Sequence, residues 1–287
     1  MPTTTPSRSA AHFRSLHQRG PILLLPNAWD AASARLVESS GAAAIATSSA
    51  AVSWAHGVPD GERLDPEVLL WSTREIAGAV QVPLSVDVEE GYGGDLDAFG
   101  GLVRRLLEAG AVGVNIEDGG GAPAALAAKI ARARQSAREA GQDLFVNART
   151  DVYLRALAPE AERVRETLDR ARRYRDAGCD GLFVPGLTDE VDIAVIAREA
   201  ALPLNLMAGP ELASVARLEG LGARRLSLGM ALAQAAWGLV RRSCQDLLVR
   251  GEYGALFEGA VAYDEMNALF ASHGQDVREA RQVMPIQ

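Results

Sequence analysis

Residues 102–118 read Leu-Val-Arg-Arg-Leu-Leu-Glu-Ala-Gly-Ala-Val-Gly-Val-Asn-Ile-Glu-Asp. The first part closes an amphipathic stretch over 95–109. Glu-Ala-Gly at 108–110 stops it, because a glycine just past the last turn takes the left-handed cap. The apolar run Val112–Glu117 follows at once, too short for a helix and ending in carboxylates. The same phrase recurs: Glu-Ala-Gly stands at 139–141 and Asp-Ala-Gly at 176–178, each ahead of another apolar run. The runs are Ile22–Pro26, Ala44–Thr47, Leu84–Asp87, Val112–Glu117, Leu144–Ala148, Gly181–Pro185, Leu204–Met207 and Arg225–Leu228. Between them the pattern predicts helices over 30–40, 65–79, 95–109, 122–140, 159–177, 188–199 and 210–220. Eight buried strands alternating with helices predict an α/β fold, a (β/α)8 TIM barrel, for which ~250 residues is typical. A doubly wound open sheet is the alternative, weakened because no Gly-x-Gly-x-x-Gly turn follows the first run.

The expected organisation is a disordered or short helical lead over 1–18, a barrel over 19–250 and a C-terminal helical arm over 251–287. Segment 231–271 carries Leu247, Leu248, Leu256, Phe257, Met266, Leu269 and Phe270, more apolar surface than one barrel helix needs. It reads as the eighth helix plus an arm that packs on a neighbouring subunit.

Composition narrows the chemistry. The net charge is −8, which disfavours nonspecific nucleic-acid binding, and no apolar run approaches the ~20 residues of a membrane span. Two isolated cysteines, Cys179 and Cys244, point to a reducing, cytoplasmic setting. Of the histidines (His12, His17, His56 and His273), only His56 falls inside the patterned body, so a His- or Cys-based zinc site has few ligands to draw on. Lys129 is the sole lysine among 29 Lys and Arg residues, and it reads as a solvated helix residue. An imine-forming lysine is excluded unless Lys129 lies in the site. Chemistry falls to carboxylates, arginines, hydroxyls or a bound metal.

In a barrel of this kind the active site sits at the C-terminal ends of the strands, and these ends are polar. They carry Thr47-Ser48-Ser49, Asp87-Val88-Glu89-Glu90-Gly91-Tyr92-Gly93, Asn115-Ile116-Glu117-Asp118 and Asn147-Ala148-Arg149-Thr150-Asp151. Strand alternation puts Asp87 and Glu89 on one side, and Asp60, Asp87, Glu89 and Glu117 are expected to converge. Carboxylates so crowded need a cation, and a hard, oxygen-preferring ion, Mg2+ or Mn2+ held partly through water, satisfies them. Arg149 would grip an anionic substrate with its planar fork, while Ser48 and Ser49 would hold a second carboxylate. Asn27, Trp29 and Asn205 are further candidates for lining the pocket. Plainer readings stand beside these. Each acid taken alone is a common helix cap, Asp118 and Asp151 orient neighbours, Tyr92 is either a proton-transfer group or a packed turn residue, and Asp30 is an N-cap.

Taken together, Pro26-Asn27-Ala28-Trp29-Asp30, Ala-Thr-Ser-Ser at 46–49, Gly-Val-Pro-Asp at 57–60, Asp-Val-Glu-Glu-Gly-Tyr-Gly at 87–93, Asn-Ile-Glu-Asp at 115–118 and Asn-Ala-Arg-Thr-Asp at 147–151 resemble the isocitrate lyase/phosphoenolpyruvate mutase superfamily, in order over about 20–270. The resemblance implies a barrel whose last helix is exchanged between subunits, in a homotetramer built as a dimer of dimers. It implies Mg2+ at Asp87, with Asp60, Glu89 and Glu117 reaching it mostly through water, and Arg149 with the Ser48–Ser49 turn on the substrate's oxygens. Members make or break C–C or P–C bonds beside a 2-oxo acid through an enolate-like species stabilised by the metal. Two departures stand out. The family's Asp-x-Asp is Asp87-Val88-Glu89 here, and the gating loop that carries a catalytic Cys in the lyases is reduced to Gly119-Gly120-Gly121-Ala122-Pro123.

The expectation is therefore a Mg2+-dependent carbon–carbon lyase or decarboxylase on a small 2-oxo or 2-hydroxy carboxylate, releasing pyruvate or another 2-oxo acid. Arg149, Tyr92 and Glu117 are its catalytic candidates. Phosphoenolpyruvate mutase or phosphonopyruvate hydrolase chemistry, and a non-catalytic barrel that binds 2-oxo acids, are the alternatives.

Overall fold

Pro26 divides the first strand of the protein, described over residues 8–271 by a computed structural model, and this break reveals how the sheet closes. The strands are β1 (Leu23–Leu25), β2 (Asn27–Ala28), β3 (Ile45–Thr47), β4 (Leu84–Asp87), β5 (Gly113–Glu117), β6 (Phe145–Arg149), β7 (Gly181–Phe183), β8 (Leu204–Met207) and β9 (Arg225–Ser227). They form one nine-stranded parallel sheet in the order β1-β9-β8-β7-β6-β5-β4-β3-β2. Proline has no N–H to donate to a ladder. Before it the chain pairs with β9, and after it with β3. β1 and β2 are thus one stave, and the sheet is a TIM-type barrel.

The Asn27 side chain covers the break. Its Nδ2 donates to the Thr47 carbonyl (2.7 Å), and its Oδ1 accepts from the N–H groups of Leu228 (3.0 Å) and Gly229 (2.9 Å). One amide therefore ties β2 to the strand on either side of it.

The helices are α1 (Ala10–Gln18), α2 (Ala31–Ser39), α3 (Ser49–Ala55), α4 (Pro66–Ala79), α5 (Leu96–Glu108), α6 (Pro123–Glu139), α7 (Arg163–Asp176), α8 (Glu190–Glu199), α9 (Val215–Gly220) and α10 (Ala231–Gln245). Asp30, Asp65, Asp95 and Asp189 cap α2, α4, α5 and α8 with side-chain hydrogen bonds, so these acids have structural work. The short helix α3 was not anticipated. Ser48 caps it, and it buries Ala50, Ala51 and Val52.

Within the lead, residues 10–18 take the helical form of the expectation; residues 1–7 lie outside the described residues. Ser9 caps α1 through the His12 N–H (3.1 Å). Phe13 is fully buried and meets the Phe145 ring edge-on with centroids 5.0 Å apart. Gly113 at the start of β5 leaves room for it, since a Cβ there would lie 3.1 Å from the Phe13 ring. Helix α1 therefore covers the strands' N-terminal ends. His17, which the sequence pattern left outside the body of the fold, is buried and stacks on Phe145 at 4.2 Å. Burial, then the nearby Arg225 charge, pushes its pKa down to about 3, although Nδ1 bonds the Phe13 carbonyl at 2.8 Å.

Beyond β9 the chain leaves the barrel. In α10 only Ala233 is buried, while Leu239 and Val240, followed by Leu247, Leu248 and Val249, are exposed. An apolar groove of about 800 Å3, lined by residues such as Leu24, Leu36, Val37 and Leu232, runs between α2, β1 and α10. Residues 263–271 are helical and dock on α2, where the Arg35 Nε donates to the Leu269 carbonyl (3.0 Å). The rest of the expected arm, 272–287 with His273, lies outside the described residues. None of the described helices is long and apolar enough to cross a membrane.

Inside the barrel the parallel register aligns Asp87, Asn115, Asn147 and Gly181 across β4 to β7. Asn147 Nδ2 donates to Asn115 Oδ1 (3.0 Å), and Asn115 Nδ2 donates to Asp87 Oδ1 (3.0 Å). Gly181 makes the room for this, because a Cβ there would sit 2.7 Å from Asn147 Oδ1. Gly181→Ala should therefore push Asn147 off the ladder, costing ~1–3 kcal/mol as overpacking does and weakening ligand binding at Asp87. Unchanged melting and unchanged oxalate affinity would refute that placement.

The buried imidazole gives a second test. Its folded pKa lies below its unfolded value near 6.5, so above that pH it is neutral in both states and contributes no pH dependence. As pH falls from 6.5 towards 3, the unfolded chain takes a proton that the folded state refuses, and stability drops by about 1.4 kcal/mol per pH unit. His17→Phe should flatten the stability curve over that window, read by denaturant titration at successive pH values. Parallel curves for the two proteins would contradict the assignment.

Candidate active site

Asp87 ends β4, and its carboxylate is held from two sides. The Ser49 N–H at the start of α3 donates to Oδ2 (3.0 Å), and Asn115 Nδ2 donates to Oδ1. The Asp87 N–H in turn donates to Thr47 Oγ1 (2.9 Å). Each carboxylate oxygen has two lone pairs, so one on each remains free. The group is half-buried and faces a cavity of about 180 Å3 lined also by Asn27, Ser48, Ser49, Asp60 and Arg149. A cavity of this size suits a small organic acid.

Arg149 ends β6 and is clamped in place. Its Nε and Nη2 donate to the fully buried Asp151 carboxylate (2.7 and 3.1 Å), and its Nη1 lies 2.6 Å from Glu117 Oε2. Guanidinium carries five N–H groups, so two remain for a ligand. Burial opposes the charge on Arg149, but the adjoining acids outweigh it and push its pKa up. Glu117 experiences the converse. Burial pushes its carboxyl up to about 8, with Asp87, Asp151 and Glu89 adding to the rise and Arg149 opposing it.

Asp118 has no outlet to the cavity. It accepts from Arg170 Nη1 (2.8 Å), Tyr174 Oη (2.6 Å) and the Asp151 N–H (2.9 Å), which anchors the loop after β5 to α7. The turn at 119–122 packs tightly. Gly119 takes φ of +51°, and a Cβ on it would lie 2.3 Å from Glu90 Oε1. No lid rises from this turn, and Leu154, Met207 and Met230 border the cavity instead.

Glu89 departs from simple strand alternation. The strand stops at Asp87, and Glu89 takes a left-handed φ of +52°. Its carboxylate accepts the N–H groups of Gly61 (2.9 Å) and Glu62 (2.5 Å) and lies 3.3 Å from Tyr92 Oη. Burial, then Asp60 and Asp87, pushes its pKa up to about 7. Asp60 is raised by burial and by Asp87. Tyr92 also has left-handed φ, at +58°, and burial with the Glu89 and Asp87 charges raises its phenol, so it stays protonated.

The predicted residues thus separate into two shells. Asn27, Ser48, Ser49, Asp60, Asp87 and Arg149 line the cavity, while Glu89, Glu117 and Tyr92 stand behind them, touching Asp87 or Arg149 through charge or contact. Trp29 turns elsewhere, to the apolar groove, where its ring lies 5.7 Å from Trp237. Asn205 bonds Ser227 (3.1 Å), which borders the cavity. Lys129, expected in solvent, donates its Nζ to the Glu90 carbonyl and is not at the cavity. The residue that sequence reasoning missed is Arg225, which lines the cavity yet is 98% buried. The signal was present, because in Arg225-Leu226-Ser227-Leu228 a charge sits at an inward position of a barrel strand.

A divalent ion is testable against this donor set. Among the described residues no three carboxylates, imidazoles or thiols gather closely enough to enclose an ion by direct contact. What the site offers is one oriented carboxylate, Asp87, with Asp60, Glu89 and Glu117 within its electrostatic reach and no thiol or imidazole in the cavity lining. Mg2+ is bound in this way, by one or two carboxylates and several waters, so the residues fit it.

The profile of the phosphoenolpyruvate phosphomutase family matches residues 13–248. An uncharacterized protein of Mycobacterium tuberculosis is 39% identical over 222 residues, 76% of this chain and 81% of the relative. The 2-methylisocitrate lyase of Bacillus subtilis is 29% identical over 204 residues, 68% of this chain and 65% of that enzyme. A crystal structure from Burkholderia cenocepacia, provisionally named a phosphonomutase, is 38% identical and superposes with a TM-score of 0.78, covering 82% of this chain and 98% of the other. The chain therefore belongs to the phosphoenolpyruvate phosphomutase family, within the phosphoenolpyruvate mutase/isocitrate lyase superfamily of metal-dependent lyases and mutases.

Proposed function

We propose that the protein is a Mg2+-dependent carbon–carbon lyase or decarboxylase acting on a small 2-oxo or 2-hydroxy carboxylate and releasing pyruvate or another 2-oxo acid. The observation that carries this reading is the pairing of an oriented carboxylate, Asp87, with a clamped guanidinium, Arg149, on one cavity sized for a small acid. When bound, the cation supplies Lewis-acid stabilisation of the charge that develops on the oxygen beside the breaking bond. The chain's residues do the rest. Arg149 offers its two free N–H groups to the substrate carboxylate, and the clamp from Asp151 and Glu117 removes the cost of ordering it. Ser48 and Ser49 flank the same space. From a 2-oxo acid the breaking carbon–carbon bond leaves its electron pair on the carbon beside the oxo group, and a proton later closes that carbon. From a 2-hydroxy acid a base takes the hydroxyl proton, the C–O bond becomes the oxo group of the released acid, and the electron pair goes to the other fragment's carbon beside its carboxylate, where a proton closes it. We assign that proton to Glu117 or Tyr92, which stand behind the cavity lining and would exchange it through a water.

The short turn at 119–122 supports carbon–carbon over P–C chemistry, because it offers no side chain to a phosphonate. The likeness to the Burkholderia chain keeps mutase or phosphonopyruvate hydrolase chemistry as the second reading. The apolar groove and the exposed faces of α10 and its continuation support a homo-oligomer, a dimer of dimers exchanging these helices. The unpaired Cys179 and Cys244 support a cytoplasmic setting.

The direct test is titration calorimetry with oxalate and Mg2+. Asp87→Ala should abolish Mg2+-dependent binding while the melting temperature holds; retained binding would refute the metal assignment. Arg149→Lys keeps the charge and loses the fork, so oxalate affinity should fall ~10- to 100-fold. Equal affinity in the two proteins would remove Arg149 from substrate binding.

A further inference from the structure

Arg225 is a buried arginine at the start of β9. Among the described residues no carboxylate hydrogen-bonds to it, and its Nη1 is buried without a hydrogen-bond partner. The cavity lining includes it, so Arg225 borders the space that Asp87 and Arg149 also border. The hydrogen bonds around it have a forced direction. Guanidinium can only donate, so Arg225 Nε gives its proton to Ser227 Oγ (2.9 Å). The Ser227 hydroxyl must then donate onward to Asn205 Oδ1 (3.1 Å). That leaves Asn205 Nδ2 as a second buried donor without a partner.

A buried cation with an N–H group left without an acceptor is costly, and a carboxylate in the cavity is the occupant that satisfies it. Arg149 and Asp87 already engage the reacting end of the substrate in the reading above, on which this inference rests. We infer that Arg225 receives the second carboxylate of the substrate, so that the protein selects small dicarboxylates over their monocarboxylate counterparts. Ser227 acts as the positioning residue, accepting from Arg225 Nε and so fixing the direction of the guanidinium.

Malate and lactate share the same 2-hydroxy-carboxylate head, and malate carries one further carboxylate, so the pair isolates this contact. With Mg2+ present, wild-type protein should bind malate ~10- to 100-fold more tightly than lactate, the range of a charge-assisted hydrogen bond. Arg225→Met should bring malate down to the level of lactate while leaving lactate unchanged, and Arg225→Lys should fall between. If wild type binds oxalate but malate no more tightly than lactate, the inference fails and the proposed function stands. This comparison needs no variant to fold. Equal weakening of both ligands in Arg225→Met would also overturn it, by showing that Arg225 acts through Asp87. If wild type binds none of oxalate, malate and lactate, the proposed function itself fails.

Discussion

The Asp87 carboxylate is held where it cannot turn. It accepts from the Ser49 backbone N–H and from the Asn115 amide, which is itself held by Asn147 in the same layer of the parallel sheet. A carboxylate only accepts, so the ladder has one polarity, with each amide pointing its NH2 towards Asp87. Hydrogen bonds to a charged group contribute ~1.5–3 kcal/mol each when buried. The surrounding structure serves this layer. Gly181 vacates the space beside Asn147, Asn27 closes the seam that Pro26 opens, and α1 covers the strands' N-terminal ends.

Two arginines point into the same barrel with opposite surroundings. Arg149 is surrounded by acids and rigid, which suits a group that must meet a substrate without reorganising. Arg225 is surrounded by hydroxyl and amide, and burial pulls its pKa down to about 9 with only the more distant Asp87 opposing. Protein interiors tolerate a buried cation when something pairs with it. The contrast separates a charge compensated by the fold from one left for a ligand.

Much of this was legible in the sequence. The glycine caps at Gly110, Gly141 and Gly178 and the short apolar runs located the strands, since a parallel strand buried on both faces reads as an unbroken apolar run. Asp87 and Arg149 were visible because polar residues at the ends of such strands have little other reason to be there. The direction of Glu89 was hidden, because alternation holds only while the strand lasts, and the chain enters left-handed φ two residues after Asp87. Helix α1 was legible only as one of two readings of the lead, because Phe13 and His17 are its main buried side chains and nine residues make a weak periodic signal. Arg225 went unread because an arginine beside another, Arg224, looks like a surface pair until the register turns one of them inward.

The most direct measurement is turnover. The protein would be incubated with Mg2+ and, in turn, oxaloacetate, isocitrate, 2-methylisocitrate, 2,3-dimethylmalate and phosphonopyruvate, following 2-oxo acid release with and without chelator. The account predicts chelator-sensitive release from one of the carboxylates and none from phosphonopyruvate. Release that ignores the chelator, or release from phosphonopyruvate alone, would contradict it.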